Sequence, residues 1–341
     1  MHRLLGLLAA ALVLALPAGA AGPRVKNTRG WIESLAMDGP RVAYAVAGSS
    51  GCTKVFVWNV RTEAGAVVSG ARTCDADNSS TGAGVREIAV AGPRVAWIVN
   101  QGGNTESNDY LFTATLGGAR ERLVASAMRT GDVDGTLSGG WMNHLVGAGD
   151  WVAVNRFTTD ATGTITQSSL QRLDTGLTTL VLGKPSLYAA SLDLGRVAVL
   201  RPDQKVAIYD ATTKKLLLTI PTTSAKEVAL RKDYAVVLTR TKTIEVYNSH
   251  TGELLRRWPV AAGAFRLDVH SGIAVYAVGR TVFAVRLIDG HDTPVATAPR
   301  AIEGLEIEAS GIVYAYNTVK GVRDVGNLAY VPLAQVNSVL S

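Results

Sequence analysis

Six side chains that could do chemistry fall at matching places in a repeated segment of this sequence. Glu87, His144, Glu227 and Arg266 share one position, and Asp268 and Glu306 lie one alternate position further on. Drawn into a ring, two carboxylates, an imidazole and a guanidinium would bind a polar ligand or a metal. Asp268 and Glu306, in neighbouring repeats, would share a proton or hold a cation, unless Arg266 pairs with them. The same residues read equally as a solvated rim. Asp75-Ala76-Asp77 and Asp132-Val133-Asp134 offer oxygen ligands suited to calcium, though neither completes a calcium loop and ordinary turn residues is the other reading. No further cofactor is expected. Cys52 and Cys74 are too few for a structural zinc site and form no Cys-x-x-Cys motif, so one disulfide is expected. Gly-x-Ser-x-Gly, His-Glu-x-x-His and a phosphate-binding glycine loop are all absent.

Residues this far apart meet only if a repeat brings them onto one axis. The repeat is visible as a Gly or Asp turn followed by a strand of Val-Ala-Tyr type, as in Gly39-Pro40-Arg41-Val42-Ala43-Tyr44, Gly92-Pro93-Arg94-Val95-Ala96-Trp97 and Gly272-Ile273-Ala274-Val275-Tyr276. The first strand residues are 42, 95, 152, 197, 235, 273 and 312, spaced by 53, 57, 45, 38, 38 and 39. Short β-branched strands at a period near 40 are those of propeller blades. One repeat shows all four strands: Glu227–Leu230, Ala235–Leu238, Thr243–Tyr247 and, after an Asn-Ser-His-Thr-Gly turn, Glu253–Trp258.

The fold expected is all-β, a seven-bladed β-propeller of four-stranded antiparallel blades, with six or eight blades as alternatives. One domain spans 22–341, with blades near 31–70, 85–126, 141–183, 186–221, 225–260, 264–298 and 301–341. Ala36, Ala89, Val146, Ser191 and Ala229 occupy the middle of successive first strands, where small residues let blades approach closely. The last blade takes its fourth strand either from Arg24-Val25-Lys26 or from the tail Gln335–Leu340, and closing the ring removes an exposed edge. No amphipathic helix is legible after the first twenty residues.

Val246-Tyr247-Asn248-Ser249-His250-Thr251-Gly252-Glu253-Leu254-Leu255 carries an aromatic residue, an Asn and a Thr-Gly turn before the fourth strand. In this it resembles the bacterial WD40-like and quinoprotein-like (PQQ-repeat) propellers. The resemblance covers the first, fourth and fifth repeats best, and it implies the fold, not an activity. The recurring Gly-His and Trp-Asp pairs of WD40 repeats and the tryptophan docking pattern of quinone enzymes are absent, so no quinone cofactor is carried over.

Connections of uneven length suggest where a surface lies. Long b–c loops are expected at 47–54, 100–109, 157–167 and 317–327, and long d–a loops at 71–85 and 127–141. All fall on one face, in blades seven, one, two and three. Loops beyond ordinary hairpin length are enriched in function. At the N-terminus an apolar run, Leu4 to Leu16, precedes Ala18-Gly19-Ala20-Ala21, the pattern of a signal peptide over 1–21 and too short to span a membrane. The net charge of +6 is scattered rather than clustered, which argues against nucleic acid. The sequence thus predicts a monomeric, non-catalytic binding scaffold, secreted or otherwise extracytoplasmic, serving a protein or cell-envelope ligand. The alternative is a secreted propeller enzyme of lyase, hydrolase or quinoprotein type with its site at the channel mouth.

Overall fold

The computed structural model describes residues 23–48, 52–77, 83–102, 105–116, 121–131, 137–172, 178–182 and 188–341. The apolar N-terminal segment, residues 1–21, lies outside them. After β1 (Arg24–Asn27) the first blade consists of β2 (Ile32–Asp38), β3 (Arg41–Val46), β4 (Lys54–Asn59) and β5 (Gly65–Val67), followed by the short helix α1 (Ala71–Asp77). The second holds β6 (Ala83–Ala91), β7 (Arg94–Gly102), β8 (Glu106–Thr115) and β9 (Arg122–Gly131), and the third β10 (Leu137–Ala148), β11 (Trp151–Thr159), β12 (Ile165–Arg172) and β13 (Thr178–Leu182). Next come β14 (Tyr188–Asp193), β15 (Arg196–Leu200), β16 (Val206–Asp210) and β17 (Leu216–Ile220), then β18 (Ala225–Arg231), β19 (Tyr234–Thr239), β20 (Thr243–Asn248) and β21 (Leu254–Pro259). Another set is β22 (Phe265–His270), β23 (Ile273–Val278), β24 (Thr281–Arg286) and β25 (Asp292–Thr297); the last is β26 (Ile302–Glu308), β27 (Gly311–Lys320) and β28 (Arg323–Pro332), before helix α2 (Leu333–Leu340).

These strands pair antiparallel in four-stranded groups, with the second and third groups joined into one eight-stranded sheet. The innermost strands β2, β6, β10, β14, β18, β22 and β26 each contact the next, and β26 contacts β2. The described strands therefore close into a ring, and the fold is an all-β propeller. Sequence dictates this through the second strand of each group: Val42–Val46, Val95–Val99 and Ala235–Leu238 are buried on both faces because a neighbouring sheet lies on either side. The layers between sheets are filled by large residues such as Trp58, Trp97, Tyr247, Tyr276 and Tyr314, all under 2% exposed. Burial of side chains this size contributes about 1.5–3 kcal/mol each.

The ring is sealed by the N-terminal strand. β1 pairs with β28 from Arg24↔Tyr330 to Asn27↔Asn327. The tail cannot compete, because residues 333–340 form α2, which buries Val336 and Leu340 against the last two blades. α1 and α2 are the helices missed in the sequence; both are too short to display a clear helical period.

Several of the expected long loops are in fact extended hairpins. β7 and β8 stay paired from Arg94↔Thr115 out to Gly102↔Ser107, and β27 and β28 out to Lys320↔Arg323. Polar residues disguised these extensions: Asn100 Nδ2 donates to Asp109 Oδ1 at 2.7 Å and to Ser107 Oγ at 3.2 Å inside the β7–β8 hairpin. The 127–141 connection is likewise strand for much of its length, and Gly131↔Leu137 pairing there joins the second and third groups.

Candidate functional site

The innermost strands give the central channel three stacked rings of side chains, because residues two apart on a strand share a face. Register places Ser34, Glu87, His144, Glu227, Arg266 and Gly304 at the mouth. Ala36, Ala89, Val146, Ser191, Ala229, Asp268 and Glu306 form the middle ring. Asp38, Ala91, Ala148, Asp193, Arg231, His270 and Glu308 form the far ring. A cavity of about 670 Å³ at the mouth is lined by Glu87, His144, Glu227, Arg266 and Glu306. A second, of about 160 Å³, lies further along the axis and touches Asp268, Glu306, Arg231 and Glu308. The structure thus gathers all six predicted side chains along one channel.

Their hydrogen bonds reveal a structural duty. An innermost strand is a sheet edge, so alternate N–H groups on it have no ladder partner and must find another acceptor. Here the acceptor comes from the preceding blade. Glu87 Oε2 accepts from Leu145 N at 2.6 Å, and Glu227 Oε2 from Leu267 N at 2.8 Å. Ser191 Oγ accepts from Leu230 N at 2.9 Å, Asp268 Oδ2 from Ile307 N at 2.8 Å and Asp193 Oδ2 from Lys232 N at 2.6 Å. Asp38 does the same for Gly92 N. In every case the amide belongs to the residue immediately after the next blade's ring residue.

At two interfaces the device is elaborated identically. The basic residue before the glutamate donates to a carbonyl three residues ahead of the accepted amide: Arg86 to Met142 O, and Lys226 Nζ to Ala264 O at 2.6 Å. The receiving strand bulges there, and its ring residue adopts left-handed backbone, His144 at φ 53° and Arg266 at φ 59°. A non-glycine residue tolerates that conformation only when its surroundings impose it. The two-residue clamps Arg86-Glu87 and Lys226-Glu227 supply that constraint.

Electrostatics divide the channel. Burial, then the charge of Asp268, pushes the Glu306 carboxyl well above the usual carboxylate range. Burial raises Asp268 as well, against the pull of two amides, Ile307 N and Val269 N, each donating to it at 2.8 Å. Burial also raises Glu87, against the pull of the Leu145 amide and Arg86. His144 is driven down to about 4 by burial and by Arg86, and stacks on Tyr188 with ring centroids 4.7 Å apart. It is a neutral imidazole at physiological pH.

The far ring holds a network that the sequence reading missed. Arg231 Nη2 donates to Glu308 Oε1 and Oε2 at 2.8 and 2.7 Å and to His270 Nδ1 at 2.9 Å. Nδ1 is therefore the acceptor, and neutral His270 carries its proton on Nε2. Asp193 Oδ1 lies 3.9 Å from Arg231 Nη1. Burial pushes Glu308 up to about 7 despite Arg231, and burial with Arg231 drives His270 down to about 4. The mouth alignment shifted by four residues lands on all five polar members of this ring: Asp38, Asp193, Arg231, His270 and Glu308. That was the available signal.

The disulfide between Cys52 and Cys74 is present, with Cα atoms 4.9 Å apart. It joins the β3–β4 connection to α1. Glu121 fixes α1 from the second blade, accepting from Gly70 N at 2.8 Å, Arg72 N at 2.6 Å and Thr73 Oγ1 at 2.6 Å. Thr73 Oγ1 in turn accepts from Trp97 Nε1 at 3.0 Å. Asp75 and Asp77 lie on α1 with side chains outside the described residues, and Asp132 and Asp134 lie outside them entirely. Among the described residues, no group of three or more His, Cys, Asp or Glu side chains is arranged to hold a metal ion, and no helix is long and apolar enough to cross a membrane.

No protein family matches the chain by sequence, and no curated protein does. Solved structures do match. A chain of the mitotic checkpoint complex is 14% identical with a TM-score of 0.58, over 97% of this chain and 99% of that one. Saccharomyces cerevisiae Sqt1 is 9% identical with a TM-score of 0.51, over 91% and 98%. BamB from Moraxella catarrhalis is 13% identical with a TM-score of 0.47, over 89% and 84%. The first two likenesses show the fold alone, that of the WD40-like propellers.

Proposed function

We propose that this protein is a non-catalytic interaction scaffold that works outside the cytoplasm and binds a protein or cell-envelope partner on the face carrying the channel mouth. The observation that carries the reading is the concentration of projecting structure on that face. The connections between second and third strands open there, and those of β7–β8, β11–β12 and β27–β28 extend as paired hairpins, against the tight turns of β19–β20 and β23–β24. α1 and its disulfide brace the same side. Rigid hairpins around a concave centre suit recognition better than flexible loops, because little order is lost on binding. The disulfide supports an oxidising compartment, as does the apolar N-terminal segment.

The enzyme reading keeps one observation in its favour, the neighbouring Asp268 and Glu306 carboxyls in the channel, both raised above the ordinary carboxylate range. Against it, Asp268, Glu87 and Glu227 already spend oxygens on backbone amides. The scaffold is tested by comparing partners captured from the native envelope by the protein and by a variant with the β7–β8 and β11–β12 hairpins cut to tight turns. Loss of specific partners supports the scaffold; identical capture overturns it.

A further inference from the structure

One groove on the mouth-side face is built differently from the channel. It runs between the last blade and the first, has a volume of about 730 Å³, and is lined by Thr28, Arg29, Gly30, Ala47, Gly48 and the β27–β28 tip from Lys320 to Val325. Its floor is rigid. Thr28 N donates to Gly326 O at 2.8 Å, Gly326 N to Gly30 O at 2.8 Å and Gly30 N to Asp324 O at 3.1 Å, so the connector leaving β1 is laced to β28.

Three cations surround this groove. Arg29, Lys320 and Arg323 are exposed, and none makes a side-chain hydrogen bond or ion pair among the described residues. Some exposed cations elsewhere pair, Arg24 with Glu63, Arg257 with Glu245 and Arg286 with Asp289, and others such as Arg61 and Arg240 do not among the described residues; what sets the groove apart is three such cations around one concavity. Asp324 is the lone carboxylate in the lining. Apolar surface accompanies the charge: Val322 is 99% exposed at the hairpin tip and Val319 is 59% exposed beside it. Trp31, next to Gly30, is 46% exposed.

From these observations we infer that the groove between the first and last blades is a docking site for an acidic peptide segment that carries apolar side chains. This rests on the scaffold reading and names the kind of partner it would take. Unpaired cations over a rigid backbone floor match carboxylates on an extended chain, and the exposed valines match apolar side chains set between them. An anionic membrane would attract the same cations, but the lining is concave and contains Asp324, whereas a bilayer presents a flat, uniformly anionic surface.

The experiment is selection from a library of random twelve-residue peptides with the purified protein and with Arg29→Glu/Lys320→Glu/Arg323→Glu. The substituted side chains are exposed and have no partner among the described residues, so folding of the variant is expected and is checked by melting. Peptides selected by the protein should be rich in Asp, Glu and apolar residues. Their affinity, read by fluorescence anisotropy, should fall at least roughly tenfold in the charge-reversed variant and fall again with added salt. Val322→Ser should weaken them without altering the salt dependence. Selection of no acidic peptides, or equal binding by the reversed variant, overturns the proposal. Binding to phosphatidylglycerol vesicles that depends on the three cations, in the absence of peptide binding, overturns it in favour of a membrane. The hairpins cut in the scaffold test lie in other blades, so the two ideas fail separately.

Discussion

Glu227 was singled out as a ligand-binding residue, and the structure makes it a stitch between two blades. Replacing it with alanine tests which role dominates. The change removes the acceptor 2.8 Å from Leu267 N and the partner 3.6 Å from Lys226 Nζ. The Lys226 pair is partly exposed and contributes little. The amide is the larger loss: it lies on a strand edge, inside a bulge, where no ladder bond replaces the carboxylate. An unsatisfied donor costs about 1–3 kcal/mol when fully buried, and this part-buried one is set at no more than the middle of that range. For a domain of roughly 320 residues the unfolding entropy is about 0.7 kcal/mol/K, so a 2 kcal/mol loss lowers Tm by about 3 °C. Glu227→Gln keeps a carbonyl oxygen and should lose about half as much. Glu87→Ala removes the equivalent bond to Leu145 N at 2.6 Å and should behave alike. The two interfaces share no partners, so the double variant should lose the sum. Differential scanning calorimetry without any ligand is the assay. If Glu227→Ala melts with the parent, or Gln and Ala lose equally, the stitch is not holding the blades and the residue is free for another purpose.

Three further outcomes are expected. Deleting residues 22–28 should lower the melting temperature of the whole ring by several degrees, since it strips β1 from β28; an unchanged transition would show that closure does not depend on that strand. Cys52→Ser should cost about 3 kcal/mol through the 22-residue loop it opens, and intact-mass analysis after alkylation without reductant should show no adduct on the parent and one, at Cys74, on the variant. Glu308 is pushed up to about 7 in the folded state, so its protonated form stabilises the fold below the ordinary carboxylate range, and that contribution is lost as pH rises through about 7. Urea titrations across the interval from the ordinary glutamate value of 4.5 up to about 7 should therefore show this contribution falling with pH in the parent and less so in Glu308→Gln; parallel profiles would contradict the assignment.

The repeat and the channel rings were legible because blades copy one another: aligning Val42, Val95 and Val152 automatically aligns the residues that meet on the axis. The Cys pair was legible because strand order alone puts both residues on one side. What the ring residues do was not, since an acceptor for Leu145 N or Leu267 N matters only once those amides are known to lie on an unpaired edge. Hairpin extension was hidden by Asn100, Ser107 and Asp109, whose polarity reads as loop although they pair across strands. α2 escaped for a different reason. Its buried residues Val336 and Leu340 occupy a single eight-residue segment, too short for a period to stand out.

The pairing of Arg24 with Tyr330 spans nearly the whole chain. The other strands pair with near neighbours in sequence, whereas the ring is sealed by the pairing of β1 with β28. Closing so long a loop is entropically expensive and slow. The seal on that loop is a latch only four residues long, joining the two ends of the described chain.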